Sequence, residues 1–239
     1  MIRWILRKLR IIKSRPVEPK PYLYDISMLE RIVEYGWVLR NMDECTTILD
    51  VGCWGTLFPI MLASLGYKVT GIDLREYPYT HPNFRFIQGD VFEIDLLLPD
   101  QKFDVITLIS TLEHIGILYR TEDSLDLDAD RKALNILSRK LCKGGKMLIT
   151  IPVGKFKILK RYRQPGEKFP KPIIPWCKVY DKKAIERIII EPLILEKIEY
   201  FIERKGNWMP GTEEEAMKFD YPEVGAKIKS IACLKLKRR

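Results

Sequence analysis

A glycine turn and two aspartates follow apolar runs in the first half of the chain, and their spacing suits a ligand that carries an adenosine group. The run ILDV leads into Gly52 and Gly55, a turn typical of nucleotide pockets. Asp73 ends the next run, 21 residues after Gly52, where a carboxylate can hold both hydroxyls of a ribose. Asp90 ends the third run, where a carboxylate can accept a hydrogen bond from an adenine amino group.

The tryptophan in this turn restricts the ligand further. A dinucleotide pocket needs a second glycine so that the backbone can approach the pyrophosphate, and Trp54 occupies that place. The Gly-Lys-Ser/Thr signature of a P-loop does not follow the turn. A cofactor without phosphates, contacted through backbone amides, tolerates the indole better. We interpret Trp54 as packing against a helix predicted at 25–42, and the alternative is that its ring closes one wall of the cofactor or acceptor pocket.

The segment STLEHIG, residues 110–116, follows the fourth predicted strand and offers acid–base chemistry. His114 has a reference pKa of about 6.5, which suits the deprotonation of an acidic hydroxyl, whereas a simple sugar hydroxyl needs stronger help. The alternative is that His114 starts a helix and bonds to the backbone. Glu113 has two explanations as well, because helix N-termini favour acids whether or not the carboxylate touches a ligand.

The elements that must position these residues alternate between strand and helix patterns. Continuous Val/Ile/Leu strands separated by helices predict a parallel sheet that is covered on both faces. Later, 193–204 and 227–237 alternate like strands and are expected to pair antiparallel at the sheet edge.

Three helices carry predicted N-caps. Asp25 is the expected cap of the helix at 25–42, Asp181 that of a helix at 180–190, and Asp128 or Asp130 that of a helix near 128–142.

Length and composition predict one domain with added segments. The chain has 239 residues, of which 46% are hydrophobic, so it can bury a sizeable core. Its five cysteines are scattered and form no CxxC pair, which favours reduced thiols, a cytoplasmic location and no metal site. No apolar run reaches the ~18 residues of a membrane span.

The net charge of +9 is unevenly distributed. Residues 1–20 carry a net charge of +6 and residues 139–183 a net charge of +12, whereas residues 21–138 carry −10. Residues 1–13 show apolar side chains at helical spacing beside an arginine stripe, which predicts either peripheral contact with an anionic membrane, on its inner face, or docking on the domain. The domain organisation is therefore an arm at 1–20 and one domain at 21–239, with a basic insertion at about 154–178.

That insertion has two interpretations. Its cations and the aromatic residues Phe156, Tyr162, Phe169 and Trp176 can hold an anionic acceptor, a lipid headgroup or RNA. The alternative is a solvated surface loop.

The motifs together resemble the class I S-adenosylmethionine-dependent methyltransferases, in the branch that acts on small molecules, lipids or sugars. The matching stretches are ILDVGCWG, GIDL, QGDVFE, FDVITLISTLEHIG and LSRKLCKGGKMLITIPVG, in the family's order and covering roughly 46–154. The resemblance implies a three-layer Rossmann-like α/β fold with a seven-stranded, mostly parallel sheet and an antiparallel C-terminal hairpin. The cofactor would be S-adenosyl-L-methionine, and the product S-adenosyl-L-homocysteine.

The resemblance also implies roles for individual residues. The methionine end of the cofactor would be lined by Asp50, Gly52 and Gly55, the ribose by Asp73, and the adenine by Asp90 with Val91. We include their neighbours Cys53, Trp54, Leu74 and Ser110 in the expected cofactor site, and His114 with Glu113 in the catalytic site.

These observations predict an enzyme that O-methylates a small-molecule, sugar or lipid-linked acceptor. The first alternative is an RNA methyltransferase, disfavoured because the base-stacking Asn/Asp-Pro-Pro-Tyr/Phe tetrad is missing and the middle of the chain is acidic. The second alternative is a catalytically inactive, cofactor-binding scaffold at a membrane or partner surface, with Trp54 preventing transfer.

Overall fold

A mixed β-sheet lies at the centre of the computed structural model, which describes residues 30–42, 45–117, 124–164, 169 and 171–239. The strands are β1 (Thr47–Val51), β2 (Lys68–Asp73), β3 (Phe84–Gln88), β4 (Phe103–Ile109), β5 (Leu141–Pro152), β6 (Lys157–Tyr162), β7 (Ile173–Val179), β8 (Leu193–Arg204), β9 (Asn207–Gly211) and β10 (Ser230–Arg238). The helices are α1 (Arg31–Asn41), α2 (Phe58–Ser64), α3 (Ile94–Leu97), α4 (Ala129–Ser138), α5 (Lys182–Ile188) and α6 (Glu213–Met217), with 3₁₀ turns at Val91–Glu93 and Leu112–His114. The basic arm at 1–20 and the proposed cap Asp25 lie outside the described residues.

The strand order confirms the predicted fold class. Within the described residues, eight strands form one sheet in the order β3-β2-β1-β4-β5-β10-β8-β9. The first five are parallel, and β10 pairs antiparallel with both β5 and β8, as predicted for the C-terminal hairpin. The short strand β9 pairs with β8 and adds one strand to the expected seven.

Helices cover both faces of this sheet, which explains why its central strands are apolar throughout. Along β1, Leu49 packs into one core and Ile48 into the other, as the alternation of side chains in a strand requires. The first core extends to α4 and α5, and the second includes Trp37 of α1 and Phe58 of α2. In the part of the chain that the structure describes, no helix is long and apolar enough to cross a membrane.

The helix starts agree only in part with the predicted caps. Asp181 accepts a hydrogen bond from the Ala184 amide at 2.8 Å and caps α5 as expected. Asp128 occupies the N-cap position of α4, but its side chain makes no capping bond. Asp130 was wrongly predicted as an alternative cap, because its buried carboxylate instead bonds to Lys178 of β7.

The basic insertion forms the antiparallel hairpin β6–β7, a two-stranded sheet outside the main one. Several of its lysines meet carboxylates from residues 220–223. Lys155 and Lys157 lie 3.0 and 2.7 Å from Asp220, and Lys160 lies 2.6 Å from Glu223. The hairpin is thus packed on the domain, and these cations are partly neutralised by acids of the same chain.

Candidate active site

The turn after β1 requires glycine at its first position. Gly52 has a φ of +76°, and a Cβ there would lie 2.3 Å from Cγ2 of Thr111, a contact too close for any side chain. Its amide donates to the Ile72 carbonyl at 2.8 Å, which ties the turn to β2. Gly55 has a φ of +80°, and open space surrounds the place of its missing Cβ. The turn therefore presents backbone rather than side chains at this end of the sheet.

Asp73, at the end of β2, faces the glycine turn. Its Oδ2 accepts from the Trp54 amide at 3.0 Å, and its Oδ1 accepts from the Arg75 amide at 2.9 Å. Oδ1 also accepts from Nε of Arg75 at 3.5 Å, so the described residues use both of its acceptor sites and only one of the two on Oδ2. A ribose hydroxyl can therefore bond to Oδ2 directly, and a neighbouring hydroxyl can bond to Oδ1 if the long contact with Arg75 Nε opens.

Trp54 carries a partner that neither sequence interpretation foresaw. The Arg75 guanidinium lies 3.6 Å from the centre of the indole ring, a cation–π stack. Arg75 Nε also lies 3.5 Å from Oδ1 of Asp73, so the indole holds this cation beside the predicted ribose ligand. Arg75 stands two positions after Asp73, and nothing in that spacing predicts a contact with Trp54.

Asp50 and Cys53 are buried beside the turn. Asp50 accepts from Oγ1 of Thr107 at 2.6 Å, and burial, reinforced by the charge of Asp73, raises its pKa to about 7. Burial likewise raises the pKa of the Cys53 thiol, which leaves it protonated. Both side chains therefore lie inside the fold, next to the turn.

The remaining predicted adenine and ribose neighbours lie along the same edge. The Gly89 amide donates to the Asp73 carbonyl at 2.9 Å and joins the ends of β2 and β3. Asp90 follows at once and accepts from the Phe92 amide at 3.0 Å, as the cap of the first 3₁₀ turn. Leu74 is 54% exposed, and Val91 packs on the main core, so apolar surface lies beside both carboxylates.

The other end of the site depends on α1, whose polar residues the sequence reasoning missed. Glu34 is fully buried, and its Oε1 accepts from Ser110 Oγ at 2.7 Å and from Thr150 Oγ1 at 2.6 Å. Its Oε2 bonds to Arg31. Ser110 itself has a φ of +43°, a conformation that its bonds to Glu34 and Thr150 hold in place. Ser110 therefore anchors α1 above β4 and β5, in addition to its predicted place beside the cofactor.

A sequence signal for Glu34 existed. The buried stripe of α1 is Glu34, Trp37, Val38 and Asn41, an i, i+3, i+4, i+7 spacing. An acid in that stripe needs polar partners in the interior. By contrast, Ile32 of the same helix is 52% exposed although it is apolar.

Glu113 lies in the turn after β4 as a buried acid. Its side chain is almost closed to solvent, and within the described residues Oε2 has no hydrogen-bond partner. Burial raises its pKa to about 8, and the nearby charge of Glu34 adds to this effect. Glu113 is therefore mostly protonated at neutral pH and offers an O–H donor.

His114 is held in one orientation by the insertion hairpin. Its Nδ1 lies 2.7 Å from the Trp176 carbonyl, and since a carbonyl only accepts, the proton resides on Nδ1. Nε2 then carries the lone pair, 3.8 Å from Oε1 of Glu113. Burial lowers the pKa of His114 to about 4, although the bond to Trp176 opposes this, so the ring is neutral at physiological pH. The backbone contact expected under the structural alternative is present, and it also leaves a basic nitrogen available.

These residues fit a sulfonium cofactor with an adenosyl group. The glycine turn offers backbone, and the Asp73 carboxylate offers an acceptor for the ribose. Among the described residues, no group of three His, Cys, Asp or Glu side chains is placed to hold a metal ion.

Comparisons with known proteins agree with this geometry. Residues 49–149 match the methyltransferase domain family. A ubiquinone biosynthesis O-methyltransferase from Pseudoalteromonas translucida is 28% identical over 147 residues, which cover 54% of this chain and 60% of that enzyme. Its counterpart from Nitrosococcus oceani is 38% identical over 109 residues, covering 41% and 43% respectively. The matches thus span less than two thirds of these relatives.

Solved structures share the fold at low identity. A 1,6-didemethyltoxoflavin-N1-methyltransferase from Burkholderia thailandensis, with bound S-adenosylhomocysteine, superposes with a TM-score of 0.60 at 12% identity and covers 99% of this chain and 89% of that chain. The N-methyltransferase NodS from Bradyrhizobium japonicum, also bound to S-adenosylhomocysteine, gives 0.52 at 13% identity and covers 99% and 97%. Residues 49–149 thus match a methyltransferase domain, and the motif order and the sheet topology are similar to those of the class I S-adenosylmethionine-dependent methyltransferases.

Proposed function

We propose that the protein transfers a methyl group from S-adenosylmethionine to an acidic hydroxyl of a small molecule. The observation that carries this proposal is the 2.7 Å contact between His114 Nδ1 and the Trp176 carbonyl, which fixes Nε2 as the proton-accepting nitrogen. The two curated relatives described above are O-methyltransferases, and their similarity supports transfer to oxygen.

The low basicity of His114 restricts the class of acceptor that the enzyme can methylate. A base with a pKa of about 4 takes a proton at a smaller free-energy cost from a phenol than from an aliphatic hydroxyl, because the phenol is the stronger acid. A phenolic small molecule is therefore favoured over a sugar or lipid-linked acceptor.

The proposed reaction needs little from the protein beyond alignment and proton removal. When bound, S-adenosylmethionine supplies an activated methyl group on a sulfonium. Asp73 would hold the ribose and the turn at Gly52 would line the methionine end, while Nε2 of His114 accepts the hydroxyl proton as the acceptor oxygen is methylated. Neutral Glu113 donates its O–H to a ligand oxygen, since an ionised carboxylate there would repel a nucleophilic oxygen.

RNA is a weaker alternative acceptor. A backbone-tracking surface needs available cations, and Lys155, Lys157 and Lys160 already lie beside Asp220 or Glu223. An RNA substrate would require these pairs to open.

We also propose a cytoplasmic enzyme that contacts an anionic membrane through residues 1–13. The support is the apolar stripe beside Arg3, Arg7 and Arg10. Co-sedimentation with phosphatidylglycerol vesicles tests this proposal, and the wild-type protein should bind them. It should not bind phosphatidylcholine vesicles. Replacement of the three arginines by glutamate should abolish binding to phosphatidylglycerol.

Calorimetry comes first in testing the enzymatic function. S-adenosylhomocysteine should bind the wild-type protein and His114→Gln, and bind Asp73→Asn at least about 30-fold more weakly, because the charge is lost and the new NH2 group must face either the Trp54 or the Arg75 amide, which is also a donor. No binding to a folded wild-type protein would contradict the proposed methyltransferase function.

Methyl transfer is then compared for catechol, methyl glucoside and a single-stranded RNA. We expect catechol to be methylated at least ten times faster than methyl glucoside. Faster methylation of the RNA, with a steep decline in salt, would overturn the small-molecule assignment.

A further inference from the structure

The hairpin strand β7 reaches the catalytic histidine from outside the main sheet, so its position determines what His114 can do. The Trp176 carbonyl of β7 is the acceptor for His114 Nδ1. If β7 moved along its axis by one residue, about 3.3 Å, this carbonyl would leave the ring. The position of β7 is therefore a requirement of the site.

Two residues further along β7, Lys178 makes a fully buried ion pair. Its Nζ lies 2.6 Å from Oδ2 of Asp130 in α4, and both side chains are completely closed to solvent. The same Oδ2 accepts from the Tyr180 hydroxyl at 2.9 Å, and the Tyr180 amide donates to the Pro152 carbonyl at 3.0 Å. These contacts join β7 to α4 and to the end of β5.

Stability alone does not explain this pair. A buried ion pair is commonly no more stabilising than apolar side chains of the same volume, because both charges lose their hydration. What the pair does supply is direction, since among the described residues Asp130 is the carboxylate that Lys178 contacts, at 2.6 Å. An apolar contact would tolerate sliding of the strand, and an ion pair at 2.6 Å does not.

We propose that Lys178 and Asp130 are positioning residues for His114. Their ion pair fixes β7 so that the Trp176 carbonyl holds the proton on Nδ1 and Nε2 keeps its lone pair toward the acceptor. The proposal rests on the proposed role of His114 as the base, but the state of its ring can be measured without any methyl acceptor.

The test is nitrogen NMR of the histidine rings. The chain has two histidines, so His114→Gln assigns the signals. In the wild-type protein we expect His114 to be a single tautomer with the proton on Nδ1. In Asp130→Asn, and in the double variant Asp130→Leu with Lys178→Met, the chemical shifts of Nδ1 and Nε2 of His114 should move toward their common average. Such averaging indicates a mixture of the two tautomers.

The double variant separates positioning from stability, because it replaces the ion pair by apolar groups that should preserve folding. Lys140→Met is the matched control. Lys140 is equally buried, and its Nζ lies 2.9 Å from Asp95 and 2.6 Å from the Leu98 carbonyl, contacts that involve neither β7 nor His114. This control should lose stability and keep the wild-type tautomer.

The outcomes are distinct. A single Nδ1–H tautomer in both Asp130 variants would overturn the positioning role. The same tautomer change in Lys140→Met would also overturn it, because general loosening would then explain the effect. A changed tautomer with unaltered methylation of catechol would support the positioning and overturn His114 as the base.

Discussion

The two ends of the site are built in different ways. At the cofactor end, the bond from the Trp54 amide to Asp73 joins residues only 19 apart in the chain, across two adjacent parallel strands. At the acceptor end, Glu34 meets Ser110 and Thr150 from 76 and 116 residues away, and His114 meets Trp176 from 62 residues away. The cofactor end follows from local turns, and the acceptor end depends on how distant elements pack.

The charged groups differ in the same way. Asp73 and Asp90 are anchored by backbone amides of the same edge of the sheet, whereas Glu34 and Glu113 depend on tertiary partners or on protonation. Substitutions at the cofactor end should therefore change the affinity for the cofactor, and substitutions at the acceptor end should change turnover, stability or pH dependence. Four predictions test this division.

The largest effect is expected at His114. His114→Gln should lower kcat with catechol by about 10²- to 10³-fold, because the base is lost. Affinity for S-adenosylhomocysteine should stay within about twofold, because the ring lies outside the cofactor end. For the wild type, kcat should show no loss from histidine protonation until the pH falls toward about 4. If His114→Gln also lost affinity for S-adenosylhomocysteine, the cofactor end and the acceptor end would not be independent.

Next in size is the effect of Glu34 on stability. Glu34→Ala leaves Arg31 without its main partner and removes the acceptor for Ser110 and Thr150, so the free energy of unfolding should fall by about 3 kcal/mol. Urea denaturation measures this. The matched control is Glu199→Ala, which removes a half-buried acid that accepts from the indole of Trp37, on the same helix, at 2.6 Å. Equal losses in both variants would contradict a special role for the Glu34 network.

The pH dependence of stability should follow Glu113. Its pKa rises from 4.5 to about 8 on folding, so the native state holds a proton that the unfolded state releases between these values. The contribution of Glu113 to the free energy of unfolding should therefore fall by about 3 kcal/mol as the pH rises from about 5 to 8. Glu113→Gln, which stays neutral, should flatten this decline in urea denaturation measured at both pH values. An unchanged slope would show that Glu113 is ionised in the native protein.

The smallest effect is expected at Trp54. Trp54→Gly removes the stack with Arg75, worth about 0.5–1 kcal/mol, and should weaken binding of S-adenosylhomocysteine about threefold in calorimetry. Trp54→Phe keeps an aromatic face and should bind almost like the wild type. Tighter binding in Trp54→Gly would show instead that the indole obstructs the cofactor.

The same division explains what could be predicted from the sequence. The fold class follows from strand–helix alternation, and Gly52, Asp73 and Asp90 could be placed because each follows an apolar strand at a fixed spacing. Trp176 could not be assigned to His114, because its contribution is a backbone carbonyl and carries no side-chain signal. Asp130 was misassigned for a related reason, since Lys178 competes for a carboxylate that local rules give to a helix start.

The strand order of the main sheet has a consequence for the order of folding. β10 lies between β5 and β8, so β8 and β9 join the sheet only through a strand that is made after both. Until then the edge of β5 is open, and an unpaired apolar edge invites pairing with other chains. Closure requires contact between segments separated by residues 153–229, which is slow compared with the pairing of neighbouring strands. β5 and β8 therefore become part of one sheet only when β10 inserts between them.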